Sequence, residues 1–244
     1  MTRRRWIADQ WTSTTATLTG DQAAHLARVL RAEPGQIFDV VAGGFLHRAE
    51  IVRASEDEVV FTLHEELESD TALPLHLLLA VFKFDHMEWA VEKATELGVS
   101  RITPVLARRT EKHLAQAAAK RAERWRRIAL EASKQSRRTT IPEIAAPTPL
   151  KPALVQEQSP IRVLLSETEQ TTTLAAAIAA SDRPTGKEAV ALAIGPEGGW
   201  ASEEMALFVQ HGWQPVTLGP RILRAETAAI AAVAIISSQL GRSG

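Results

Sequence analysis

The sequence predicts an α/β protein: a mostly parallel sheet with helices on both faces, preceded by a small β-barrel. Three observations predict it. From Leu75 onward, apolar strand-like runs alternate with stretches of helical spacing, as in parallel strands joined by crossover helices. Before that point, short apolar runs are punctuated by turn-forming dipeptides. The 244 residues are 45% hydrophobic, enough to bury a core.

In the first part, strands are expected at Ile37–Val41, Phe45–Val52 and Glu58–Leu63, separated by Pro34-Gly35, Gly43-Gly44 and Glu56-Asp57. One helix, Asp21–Leu30, interrupts them, with Asp21 as its N-cap. Leu75–Phe84 is a continuous apolar run, as for a strand buried on both faces. Met87–Leu97 has helical spacing and stops at Gly98. Arg101–Leu106 reads as a strand. Glu111–Arg138 reads as a long helix with Leu114, Ala118, Arg121, Trp125, Ile128 and Ala132 along one stripe. The proline-rich passage from Pro142 to Pro160 reads as loop. Strands at Ile161–Leu165, Ala189–Ile194 and Pro215–Leu218 then alternate with helices at Thr173–Ala180, Ser202–His211 and Ala225–Leu240. The boundary between a domain of residues 1–70 and one of residues 74–244 falls where Glu68-Ser69-Asp70 precedes Pro74.

Composition excludes several chemistries. There is no cysteine, hence no disulfide, thiolate metal site or Cys nucleophile. Pyrimidine C5 methylation through a cysteine adduct and a His/Cys/Cys zinc deaminase are both excluded. The seven histidines are scattered without an H-E-x-x-H pair, so no metal is expected. No stretch resembles a signal peptide or spans a bilayer, so no membrane partner and a cytoplasmic location are expected. The net charge is only -1, but it is segregated. Arg3, Arg4 and Arg5 open the chain, Arg28 and Arg31 sit on the first helix, and Arg108 to Arg138 crowds eleven basic residues against three acids. Such a segment is either a phosphate footprint or a solvated helix face. Trp125, amid arginines, either stacks on a base or packs in the core, and its spacing fits the core better.

Two glycine-rich turns follow apolar strands. The first is Ile194-Gly195-Pro196-Glu197-Gly198-Gly199-Trp200. The second runs from Leu218-Gly219-Pro220-Arg221 through Ile222-Leu223-Arg224 to Ala225-Glu226-Thr227-Ala228. Both sit at carboxyl ends of strands, where open α/β sheets bind ligands. Neither matches a phosphate loop or a dinucleotide fingerprint, and neither contains lysine. They are either ordinary strand-to-helix turns or a grip on a neutral or cationic adenosine-type ligand through backbone groups. Two alike on successive strand ends favour the ligand site.

These turns resemble the second and third cofactor motifs of the knotted SPOUT-class methyltransferases. More narrowly, the chain resembles the RsmE family of 16S rRNA uridine N3-methyltransferases, nearly end to end. Arg4-Arg5-Trp6, His25-Leu26 with Val29-Leu30-Arg31, Lys83 to Trp89, Lys93 to Val99, Arg124-Trp125, Gln135-Ser136 with Arg138, and Ile141 to Ile144 occur in the family's order and spacing. Departures are Phe84 where relatives carry Gly, Lys134 where they carry Glu, and Ala201 where they carry Ser or Thr. Lys134 is expected to add to the basic patch, and Ser202 to cap the following helix in place of Ala201.

The resemblance implies a PUA-like N-terminal barrel that binds RNA and a C-terminal domain threaded into a trefoil knot. It also implies a homodimer; independently, the nearly all-apolar helix from Ala225 must be buried, in the domain or against a partner. S-adenosylmethionine would be held by Leu165, Ser166 and Glu167, by Ile194, Gly195, Pro196, Glu197, Gly198 and Gly199, and by Leu218, Gly219, Ile222, Leu223, Arg224, Ala225 and Thr227. The methyl group would pass to N3 of one uridine of 16S rRNA in the small ribosomal subunit, a product of the m3U1498 type, leaving S-adenosylhomocysteine. Arg224 would stabilise the uracil anion, and Glu226 would orient Arg224 or take the N3 proton. The same pair would equally suit helix-start electrostatics. Arg3, Arg4, Arg5, His25, Arg28, Arg31, Arg109, Arg137 and Arg138 would contact RNA. The competing readings are a SPOUT methyltransferase with another RNA target, a non-catalytic ribosome assembly factor, and a metabolite-binding α/β enzyme.

Overall fold

A computed structural model describes residues 5–67, 72–136, 138–180 and 189–240. The chain divides into two compact units, Met1–Ala72 with Ser133–Thr140, and Leu73–Ala132 with Ile141–Gly244.

The first unit is a curled six-stranded sheet. Its strands are β1 (Trp6–Ile7), β2 (Gln10–Trp11), β3 (Thr15–Thr19), β4 (Ile37–Ala42), β5 (Phe45–Ala54) and β6 (Glu58–Leu67), in the order β1-β4-β5-β6-β3-β2. All pairs are antiparallel except β1 with β4. Alternation decides the inner face: Ala16 and Leu18, Ala49 and Ile51, and Val59 and Phe61 point into one cluster around Trp6 and Leu26. The strands before residue 20 were not expected, because they are short and rich in threonine. The helix differs too. Thr19 occupies the N-cap position of α1 (Gly20–Ala24) without a side-chain capping bond, Asp21 falls inside the first turn, and the winding widens into a π turn over His25–Val29. Arg31 closes that turn with a φ of 50°.

The second unit is a seven-stranded, wholly parallel sheet. Its strands are β7 (Leu75–Ala80), β8 (Arg101–Leu106), β9 (Glu143–Ile144), β10 (Thr148–Pro149), β11 (Ile161–Leu165), β12 (Val190–Ile194) and β13 (Gln214–Val216). The order is β10-β8-β7-β12-β11-β13, with β9 also on β8. The helices are α2 (Phe84–Glu96), α3 (Lys112–Gln135), α4 (Leu150–Gln156), α5 (Leu174–Ala180), α6 (Ser202–Gln210) and α7 (Ala225–Leu240). Strand parity sorts them. Leu75, Leu77, Leu79, Val190, Leu192 and Ile194 face the apolar sides of α2, α3, α5 and α7. Leu78, Ala80, Ala191 and Ala193 face α4 and α6. The expected α/β class, with covered faces on both sides, is what forms.

Several expectations are corrected. β7 stops at Ala80 and α2 starts at Phe84, so the apolar run Leu75–Phe84 is a strand plus a turn. α3 ends at Gln135. The proline passage holds β9, β10 and α4, because Pro149 and Pro152 fall at the cap and in the first turn, where no helical N–H is required. Trp125 is fully buried and meets Phe84 edge-on at 6.1 Å, so it stacks on no base. Lys134 is 7% exposed and does not extend the surface patch. Ala201, not Ser202, is the N-cap of α6. Its N–H is held by Glu204 Oε2 at 2.8 Å, so the helix keeps the carboxylate half of a capping box without a capping hydroxyl.

Candidate functional site

The carboxyl ends of β11, β12 and β13 open on one cavity of about 1140 Å³ in the second unit. Parallel register brings them level: Leu164 pairs with Ala193 and with Pro215. The three strands therefore deliver the segments that follow them to the same rim.

The loop after β11 is braced internally. Glu169 Oε1 accepts hydrogen bonds from the Thr171 N–H, the Thr171 hydroxyl and the Thr172 N–H, at 2.7–2.8 Å. These donors hold its carboxyl down at about 2. The Thr217 N–H donates to Thr172 O and the Leu174 N–H to Thr217 O, fixing this loop to the end of β13. After β12, Gly195 lies under Trp200: a Cβ there would stand 3.2 Å from the indole Nε1. Trp200 meets Phe208 at 4.8 Å, and Phe208 meets Trp213 at 5.3 Å, an aromatic floor under the turn. Arg109 Nη1 donates to Gly198 O at 2.6 Å. Glu204 accepts the Arg108 N–H at 2.7 Å as well as that of Ala201, tying the segment after β8 to the start of α6. After β13, Gly219 has a φ of 113°, which an L side chain rarely adopts, and a Cβ there would meet open space.

Of the expected cofactor residues, Leu165, Ser166, Glu167, Ile194, Gly195, Pro196, Glu197, Gly198, Gly199, Leu218, Gly219, Ile222, Leu223, Arg224 and Ala225 line this cavity. Thr227 does not; it is exposed on α7. Arg224 lines the cavity with an exposed side chain, and its carbonyl accepts the Ala228 N–H at the start of α7. Glu226 is buried and turned away from Arg224, toward His86, whose Nδ1 lies 3.7 Å from its Oε1. The expected Arg224–Glu226 contact is not formed: Arg224 precedes α7 with an exposed side chain, whereas Glu226, in the first turn, is buried against the core. Lys83, His86, Arg109 and the loop Thr168–Gln170 also line the cavity. Lys83 and His86 were visible within the Lys83-to-Trp89 motif. The polar run Thr168–Thr173, at a strand's carboxyl end, was the other available signal.

The expected RNA contacts are divided between the two units. Arg3, Arg4 and Arg137 lie outside the described residues. His25 packs its ring 5.9 Å from Trp6, and Arg5 is half-buried beside it in sequence. Arg28 is exposed and 3.7 Å from Glu56, and Arg31 is exposed. Arg138 is half-buried, and loss of hydration lowers its guanidinium to about 10. Arg109 sits at the cavity of the second unit. On α3, Arg121 and Arg124 share Glu88, and Arg121 lies 4.7 Å over Phe84, so part of that basic segment is structural. Among the described residues no group of His, Asp or Glu is arranged to hold a metal, and no helix is long and apolar enough to cross a membrane.

Residues 69–237 match a family model described as an RNA methyltransferase domain, and residues 18–63 one described as an RNA methyltransferase PUA domain. The chain belongs to the ribosomal RNA small subunit methyltransferase E family. The member from Synechocystis is 35% identical across 95% of this chain and 76% of its own length. The Bacillus subtilis member is 32% identical across 92% and 90%. Among solved structures, the Neisseria gonorrhoeae family member bound to S-adenosyl methionine superposes with a TM-score of 0.82 at 29% identity, over 98% of both chains. A Legionella pneumophila protein in complex with SAM gives 0.81 at 31% identity, again over 98% of both. The α/β class and the PUA-type first module expected from the sequence are those of the family.

Proposed function

We propose that this chain transfers the methyl group of S-adenosylmethionine to N3 of one uridine in 16S rRNA of the small ribosomal subunit, releasing S-adenosylhomocysteine. The observation that carries the reading is the convergence of two glycine turns and the end of β11 on one cavity, in a chain whose relatives bind that cofactor. The cavity suits the ligand. Its volume exceeds what a nucleoside-sized molecule requires, Gly219 leaves open space on its rim, and no lysine on either turn demands a phosphate.

When bound, the cofactor supplies a methyl group already activated on a positively charged sulfur. The chain itself must hold that group in line with N3 and favour loss of the N3 proton. Residues 165–167 and 194–199, with Leu218, Gly219, Ile222, Leu223, Ala225 and the backbone of Arg224, hold the cofactor, and Thr227, exposed outside the cavity, is left out of the set. Arg224, exposed at the rim with no ion pair among the described residues, stabilises the charge that develops on uracil O2 or O4. The barrel of residues 1–70 and its arginines hold RNA phosphates, while residues 74–244 carry out the transfer. The strand order β12-β11-β13, with α7 returning to pack on α2 and α5, supports the knotted path. The half-exposed Ala228, Ala231 and Ile235 of α7 support a homodimer. The setting is the cytoplasm, where ribosomes are built.

The test is to incubate the protein and S-adenosylmethionine with small subunits lacking the modification, then to reverse-transcribe the rRNA. N3 methylation blocks base pairing, so a new cofactor-dependent stop at one uridine is expected. Cofactor binding without a stop would assign the activity to another base or RNA. Absence of both would leave a non-catalytic assembly role.

A further inference from the structure

Glu226 has 3% of its surface exposed, and its Oε2 is buried with no hydrogen-bond partner among the described residues. A carboxylate in such a place is costly unless a proton or a cation neutralises it. The basic group that reaches it is His86, with Nδ1 at 3.7 Å from Oε1. The same Nδ1 lies 3.8 Å from Glu197 Oε1 and is itself buried without a hydrogen bond. Glu197 stands on the turn after β12, Glu226 in the first turn of α7, and His86 in the first turn of α2. One imidazole thus faces a carboxylate from each glycine-turn motif. Two other charged groups lie within 4 Å of these three, and Arg109 stands beside Glu197 on Gly198 O. Asp85 is exposed, with Oδ2 at 3.8 Å from His86 Nε2, and Lys83 Nζ is 3.7 Å from Glu197 Oε2. Separations of 3.7–3.8 Å exceed a hydrogen bond. The groups are close enough to join and are not yet joined.

We propose that His86 is a positioning residue that clips the two cofactor turns together. Its imidazolium draws Glu197 and Glu226 toward Nδ1 and so sets the shape of the cavity around its ligand. The inference rests on the S-adenosylmethionine reading above. A protonated Nδ1 donates to one carboxylate and attracts the other by charge. A neutral ring that keeps its Nδ1–H still donates to one carboxylate but no longer attracts the other by charge, and the clip loosens. The charge on the ring is what joins the two carboxylates, so cofactor binding followed against pH reads the clip directly. A permanently charged side chain at this position would remove the dependence on pH.

The test is calorimetric titration of S-adenosylmethionine into the wild-type protein, His86→Ala and His86→Lys, from about pH 5.5 to about pH 8.5. Wild-type affinity is expected to fall about tenfold across the range, the worth of one charge-assisted hydrogen bond. His86→Ala is expected to be about tenfold weaker at the acid end and flat with pH. His86→Lys is expected to restore tight binding, hold it at the alkaline end and retain methyl transfer. Circular dichroism and thermal melts of both variants establish that they are folded, and Glu197→Gln should flatten the profile in the same way. Wild-type-like binding by His86→Ala at every pH would overturn the proposal, as would failure of His86→Lys to restore binding. Tight binding by His86→Lys without methyl transfer would overturn it in favour of His86 as the proton acceptor. Wild-type protein that binds no cofactor at any pH would remove the functional reading, and this inference with it.

Discussion

Glu204 is where the glycine turn after β12 can be loosened without touching the cavity. It is 6% exposed, yet both carboxylate oxygens are used: Oε1 accepts the Arg108 N–H at 2.7 Å and Oε2 the Ala201 N–H at 2.8 Å. Hydrogen bonds to a charged acceptor contribute roughly 1.5–3 kcal/mol each. Truncation in Glu204→Ala removes both and leaves two N–H groups to find water, so a loss of about 3 kcal/mol is expected after partial rehydration. Glu204→Gln retains one carbonyl acceptor and turns an NH2 toward the other N–H, so about 1.5 kcal/mol is expected. For a chain of this size the Ala variant should melt about 6–12 °C lower. Cofactor affinity should fall as well, because Ala201 follows the Gly195–Trp200 turn directly and Arg109, whose guanidinium holds Gly198 O, follows Arg108. Urea unfolding followed by tryptophan fluorescence gives the first quantity, and calorimetry the second. An Ala variant within about 0.5 kcal/mol of wild type, or a Gln variant as unstable as Ala, would refute this account of the carboxylate.

Replacing Arg224 with Ala should lower kcat about 100-fold while leaving the dissociation constant for S-adenosylmethionine within about threefold; equal losses in both would place Arg224 in cofactor binding instead. Gly219→Ala should weaken cofactor binding through backbone strain of about 1–3 kcal/mol, since its φ is 113° and no atom obstructs a Cβ; unchanged affinity in a folded variant would contradict that. Glu157 is buried, which alone would raise its carboxyl, but hydrogen bonds from His76 and Ser159 prevail and hold it at about 2, below the ordinary 4.5. A depressed carboxyl stabilises the fold above about pH 4.5 and loses that contribution as pH falls toward 2, so Glu157→Gln should cost on the order of 2 kcal/mol at neutral pH and nothing near pH 2. A constant difference between the two proteins across that range would exclude the linkage. Binding of rRNA fragments should weaken steeply with salt, with a smaller slope for Arg28→Ala; an unchanged slope would remove Arg28 from the footprint.

The parallel sheet was legible because burial on both faces leaves its mark in single strands. Val190 to Ile194 are all buried, and such a run in a chain of alternating elements has few other uses. Element ends were less legible for a related reason. Val81 and Phe82 are as buried as the strand before them, so hydrophobicity continues through the turn where the backbone does not. The prolines of residues 142–160 misled in the opposite direction, since a proline at a cap or in a first turn is compatible with a helix that it would break from the interior. Thr15–Thr19 forms a strand on the strength of its two inward residues, Ala16 and Leu18, which is too short a signal to read alone.

The site followed a different logic. Glycines announce where backbone must bend or approach closely, so both turns stood out in a sequence met without a structure. Side chains that act across the fold leave no local pattern. His86 and Glu226 are 140 positions apart by their numbers in the chain, and only the packing of α2 beside α7 brings them together. The expected partner of Glu226 was its sequence neighbour Arg224, because proximity in sequence was the available guide. Their positions at the start of α7 send the two outward and inward instead, one toward the cavity mouth and one into the core. In the proposed reading that separation divides their roles: Arg224 meets charge arriving with a substrate, and Glu226 is neutralised from within by His86. If the proposed roles hold, the group facing the base and the group setting the cavity's shape can be perturbed independently, and Arg224→Ala and His86→Ala should combine additively in transition-state free energy. Strong coupling between them would mean that they act as one unit after all.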